Sequence, residues 1–183
     1  MKSTRKVVGF ITCIVLLILN SGIVSASEIT TGKEIVEDVK VQNPEEFYNI
    51  SSSDTLKSVT SMTRGASKPT STWNIANSGQ YDFDFSVRAG NSVYSGYNFT
   101  GTTSAVLYIN AAPTGSYTEA EYTVKIYRNE FGFDDEIGSF VKNTSNDQNY
   151  QINLSNLNSS HKYYFRIWPN GDAGLSGHGY WKN

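Results

Sequence analysis

The sequence predicts an all-β protein, an antiparallel β-sandwich of seven to eight strands. Three observations carry that expectation. Apolar and polar residues alternate with a period of two, as where Tyr81, Phe83, Phe85 and Val87 interleave with Asp82, Asp84, Ser86 and Arg88. Turn-forming clusters of Gly, Pro, Asn and Ser separate such stretches. No part of the chain beyond about Thr70 shows helical periodicity.

In chain order, the first element is a leader. Lys2, Arg5 and Lys6 precede an apolar run from Val7 to Leu19, and Val24-Ser25-Ala26 supplies a small-x-small cleavage site. Residues 1–26 therefore read as a secretory signal peptide, and the apolar run is short of the ~20 residues that span a bilayer. The expected product is secreted, extracellular or attached to the cell surface, with no stable membrane span. Cys13, the one cysteine, lies in the leader. The processed chain would have no thiol for disulfides, nucleophilic catalysis or zinc-thiolate binding. That is the pattern of a bacterial export.

Residues 27–69 differ in composition from residues 70–183. From Ser27 to Lys57 there are seven acidic residues against three lysines, and Phe47 and Tyr48 are the sole aromatics before Trp73 in the processed chain. Few apolar residues offset little chain entropy, so the segment reads as an acidic flexible tether or a propeptide. Lys33 to Val41 is compatible with a short helix, too short to stand alone. Met62-Thr63-Arg64-Gly65 offers a basic processing site.

The sandwich domain is expected over residues 70–183. After the Tyr81 strand come Ser104–Asn110, then Tyr122–Arg128 with Tyr122, Val124 and Ile126 on one face. Ile137–Lys142 is short. Tyr150, Ile152 and Leu154 alternate with polar partners, as do Tyr163, Phe165 and Ile167, and Tyr180-Trp181 close the chain. Ser176-Gly177-His178-Gly179 reads as a flexible stretch. A domain of this length can bury a core without covalent staples.

Leu157 lies six residues before Tyr163, with Phe165 and Ile167 following at alternate positions. This spacing resembles the corner before strand F in fibronectin type III-like and other immunoglobulin-like sandwiches. The resemblance covers about residues 104–168. It implies that the Tyr163 hydroxyl bonds back to the backbone of the preceding turn. It also implies that Tyr122–Arg128, Ile137–Lys142 and Gln148–Leu154 correspond to strands C, C′ and E. Ser104–Asn110 lacks the tryptophan usual in the fibronectin module, and Ser159 replaces the corner proline. The fold class by itself supplies no activity.

The chemistry-bearing residues are sparse. A net charge of −2 excludes nucleic-acid binding through bulk positive charge. His161 and His178 have no metal-ligand spacing around them, and no nucleophile elbow or phosphate loop occurs. Asp82 and Asp84 share one face of a strand, and with Glu136 are the candidates for a hydrolase pair. Asp134-Asp135-Glu136 and Asp147 read as loop acids with the hard oxygens calcium takes. No catalytic motif, metal site or cofactor is expected.

Aromatic richness is the more unusual feature, at 13% of residues. Alternation puts Tyr164 and Trp168 on the face opposite Phe165 and Ile167, and Tyr108 and Tyr127 are candidates for outward positions. Exposed rings on a sheet stack on sugar faces or anchor protein partners, and they also pair across strands to cover the sheet. The expectation is therefore a secreted, non-catalytic binding protein. Its partner would be a glycan or cell-wall polymer, or else an extracellular protein, with Tyr164 and Trp168 as the ligand-binding residues. The alternative is a bacteriocin- or toxin-like effector released by cleavage near Arg64.

Overall fold

Period-two alternation in the sequence becomes period-two burial in a computed structural model, which describes residues 33–40, 67–146 and 149–183. The leader at 1–26, the processing site at Arg64 and the loop acid Asp147 lie outside the described residues. The clearest case is β3 (Tyr81–Val87), where buried and exposed residues alternate without a break. Its aromatic side faces the core and its aspartates face outward.

Two sheets face each other across that core. The first has the order β1–β9–β6–β11–β3, all antiparallel. Its other members are β1 (Ile35–Lys40), β9 (Asn149–Ser155), β6 (Ala105–Pro113) and β11 (Leu175–Lys182). The second runs β2–β5–β10–β7–β8, with β4 also on β10. Its members are β2 (Thr72–Asn74), β4 (Val93–Tyr94), β5 (Asn98–Thr100), β7 (Glu121–Asn129), β8 (Asp134–Asn143) and β10 (Tyr163–Pro169). Here β2 and β5 are parallel and the other pairs antiparallel. A single short helix among the described residues, α1 (Ile75–Ser78), is capped by Asn74, whose side chain accepts from the Asn77 N–H.

The described residues thus form an all-β sandwich of eleven strands. The six alternating or apolar stretches read from the sequence, and the closing Tyr180-Trp181, all fall in strands apart from Ser104 at the start of one. β2, β4 and β5 have two or three residues each, too few to show a period. β4 and β5 take successive lengths of the same edge of β10, through Arg166↔Tyr94 and Tyr163↔Phe99.

β11 replaces the flexible stretch expected at 176–179, and it is an interior strand between β6 and β3. Its glycines have a packing reason. A Cβ on Gly177 would lie 2.0 Å from the Asn110 carbonyl and 2.8 Å from the Phe85 ring; one on Gly179 would lie 2.2 Å from the Tyr108 carbonyl and 2.6 Å from Phe83. The phenyl rings of β3 occupy the space that side chains on β11 would need. In the immunoglobulin arrangement the last strand lies beside strand F. Here β11 lies in the sheet opposite β10.

The core is an aromatic stack. Trp181 lies 4.5 Å from Phe99 and 6.0 Å from Phe165, nearly parallel to both, and Phe83 is 4.9 Å from Phe165. All four are exposed by about 1% or less. Burying such a side chain contributes roughly 1.5–3 kcal/mol.

β1 falls within the segment expected to be a tether. Its β-branched Ile35 and Val36 suit a strand, and pairing with β9 satisfies one side of its backbone. Val36 packs over Gly138 of β8, and Asp38 pairs with Lys142 of β8, so β1 clasps the edges of both sheets. Just before it, both Glu34 carboxylate oxygens accept from Arg128 Nη1, at 2.9 and 2.8 Å. Among the described residues no helix is long and apolar enough to cross a membrane.

Candidate functional site

Strand alternation divides the side chains of the second sheet. On β10, Tyr163, Phe165 and Ile167 enter the core, leaving Tyr164, Arg166 and Trp168 on the outer face. On β7, Tyr122, Val124 and Ile126 enter the core, leaving Thr123, Lys125 and Tyr127 outside. Register then fixes the rows. Tyr164 lies beside Tyr127, Arg166 beside Lys125, and Trp168 beside Thr123. Tyr94 extends the Arg166 row, and Glu136 and Val141 of β8 extend the other two.

The sequence placed Tyr164 and Trp168 on one outer face, and they share it. Their exposure differs. Tyr164 is 3% exposed. It stacks on Tyr127 at 5.0 Å and meets Tyr94 at 6.0 Å, with the Lys68 ammonium 5.9 Å from its ring centre. Its hydroxyl donates to Asp134 Oδ2 at 2.8 Å. Burial, and then the Asp134 carboxylate, push that hydroxyl far above the usual phenol range. Tyr164 therefore supports the face from below. Trp168 is only half-buried, and nearby Val141 is 61% exposed.

Two residues not singled out by the sequence complete the face. The Arg166 guanidinium lies 4.9 Å from the Trp168 ring and 5.3 Å from Tyr94. Lys125 approaches the same indole at 5.4 Å and pairs with Glu136 at 2.6 Å. The bond to Glu136 raises Lys125 above its usual range and keeps it charged. Alternation alone would have put Arg166 with Tyr164 and Trp168. Tyr94 gave no signal, because its strand has two residues.

The other candidates are dispersed. Asp82 and Asp84 lie on the outer face of the first sheet, opposite Tyr180 and His178, while Glu136 is on the second sheet. The three acids share no site. Asp134, Asp135 and Glu136 are strand residues of β8, each paired with a cation: Lys68, Arg128 and Lys125 respectively. No group of three acidic, His or Cys residues suited to a metal occurs among the described residues. Tyr108 stacks on Tyr180 at 5.0 Å on the first sheet and is 3% exposed. Trp181 is in the core, and Trp73 donates to the Gly79 carbonyl at 2.9 Å.

At one end of the sandwich is a polar clamp. The Tyr163 hydroxyl accepts the Asn158 N–H at 3.0 Å, the bond the corner motif calls for, and donates to Glu34 at 2.8 Å. Burial opposes the Arg128 charge, and Glu34, Asp135 and Glu130 together hold it protonated. His161 Nδ1 lies 4.0 Å from Glu34. Every acid here already has a cationic or phenolic partner, so the clamp is a fastening between β1 and the corner. No family model matches the sequence, and neither a curated protein nor a solved structure matches it.

Proposed function

We propose that this is a secreted, non-catalytic β-sandwich protein that binds a glycan or cell-wall polymer through the outer face of its second sheet. One observation carries the reading: the half-buried Trp168 indole lies on this outer face with the Arg166 guanidinium and the Lys125 ammonium over its ring, at 4.9 and 5.4 Å. An indole in that position offers an electron-rich face to the apolar C–H groups of a sugar, with donors beside it for the hydroxyls. Within the sandwich, the block from β6 to β10 is proposed to be immunoglobulin-like. β6 lies beside β9, and β7 lies between β10 and β8.

The test is retention of the purified chain on insoluble cell walls and polysaccharides. Trp168→Ala is expected to lose retention at least tenfold while its circular dichroism and melting temperature stay close to those of the parent. Undiminished retention by a folded Trp168→Ala chain removes this face from the reading.

A further inference from the structure

Arg166 and Lys125 stand directly opposite each other on neighbouring strands. Like charges in that relation destabilise a sheet. The chain has acids to spare, with 17 acidic residues against 15 basic. Yet among the described residues only Lys125 has an acid within ion-pair reach, Glu136; none lies that close to Arg166. The Arg166 Nε is buried without a hydrogen-bond partner. Leaving that donor unpaired is costly, and the rest of the half-buried guanidinium is open to a partner from outside. Its central carbon lies over the Tyr94 and Trp168 rings, at 5.3 and 4.9 Å, which holds the cation on this face.

We propose that the ligand of this face is anionic, a polysaccharide built of uronic acids, with a carboxylate at Arg166 and its own pyranose ring on Trp168. This rests on the glycan reading above. A uronate carries its carboxylate directly on the sugar ring, so ring and charge stay close together, as the indole and the guanidinium do on this face. Carboxylate geometry suits the two-pronged edge of a guanidinium. A phosphodiester polymer carries its charge on a flexible link outside the ring and lacks that match. Lys125 adds a second cation, partly neutralised by Glu136.

The experiment measures retention of the full chain on polygalacturonate, on neutral cellulose and chitin, and on a glycerol-phosphate polymer, across a sodium chloride series. Retention on polygalacturonate that weakens with salt is expected. Arg166→Gln should weaken it about tenfold to a hundredfold. Glu136→Gln, which frees Lys125, should strengthen it severalfold and leave neutral polymers unaffected. The Glu136 variant and the salt series decide the matter if Arg166→Gln fails to fold. Equal retention on neutral polymers, insensitive to salt, overturns the anionic ligand and leaves the glycan face standing. Retention on the phosphate polymer alone overturns the uronate. No retention on any polymer removes both readings.

Discussion

Gly177 and Gly171 differ by what surrounds a single missing carbon. A Cβ on Gly177 meets a backbone carbonyl and the Phe85 ring, whereas one on Gly171 has nothing within 4 Å and no left-handed backbone to strain. Gly177→Ala should cost about 3 kcal/mol or fail to fold, while Gly171→Ala should be neutral or stabilise by up to about 1 kcal/mol. Urea denaturation of both variants separates the two outcomes. Tyr163 makes a similar local point. Its hydroxyl serves both the Asn158 N–H and Glu34. Tyr163→Phe should cost about 1–3 kcal/mol by urea denaturation, because both partners lose a bond and Glu34 is largely buried. The spacing from Leu157 pointed to Tyr163, and the resemblance to an immunoglobulin-like corner implied its backbone bond. Its second partner was not legible, because Glu34 lies 129 residues away and belongs to a segment of tether-like composition.

At the scale of the element, legibility tracked length and alternation. β3, β9 and β10 each have seven residues with an apolar side facing the core, and the sequence marks all three. β11 is longer and only its end, Tyr180-Trp181, was legible, since Gly177 and Gly179 replace the apolar residues that would have shown the period of the rest. Those positions are small because β3 sends Phe83 and Phe85 into the same space, and that relation appears only when two strands distant in sequence are paired. β1 was hidden for a different reason. Six residues rich in charge become a strand only when the β9 edge is available. The candidate site was half legible. Alternation placed Tyr164 and Trp168 on one face, but the burial of Tyr164 depends on Lys68 and Asp134, which arrive from other parts of the chain.

For the whole molecule, tyrosine burial couples stability to alkaline pH. Burial pushes Tyr81, Tyr163 and Tyr180 up to about 12, and Tyr164 rises in the same direction. A phenol raised in the folded state keeps its proton where the unfolded chain, titrating near pH 10, has lost it. This stabilisation is complete below pH 10 and disappears as the pH climbs toward 12. Melting temperatures should therefore hold steady up to about pH 9.5 and fall steeply beyond it, together with the rise of tyrosinate absorbance near 295 nm. A phenolate signal that develops fully while the fold persists would contradict the burial of these rings.

The clasp formed by β1 also sets an order of events. The bond from Arg128 to Glu34 joins residues 94 apart, and the one from Tyr163 spans 129. The interior pairing of β3 with β11 closes a loop of similar size, from Tyr81 to Trp181, but β1 sits at an edge and gains its contacts only once the β9 edge and the corner exist to receive it. β1 is therefore expected to join a folding chain last and to leave an unfolding one first. Strengthening its hold lengthens the lifetime of the folded protein and leaves the time taken to fold nearly unchanged.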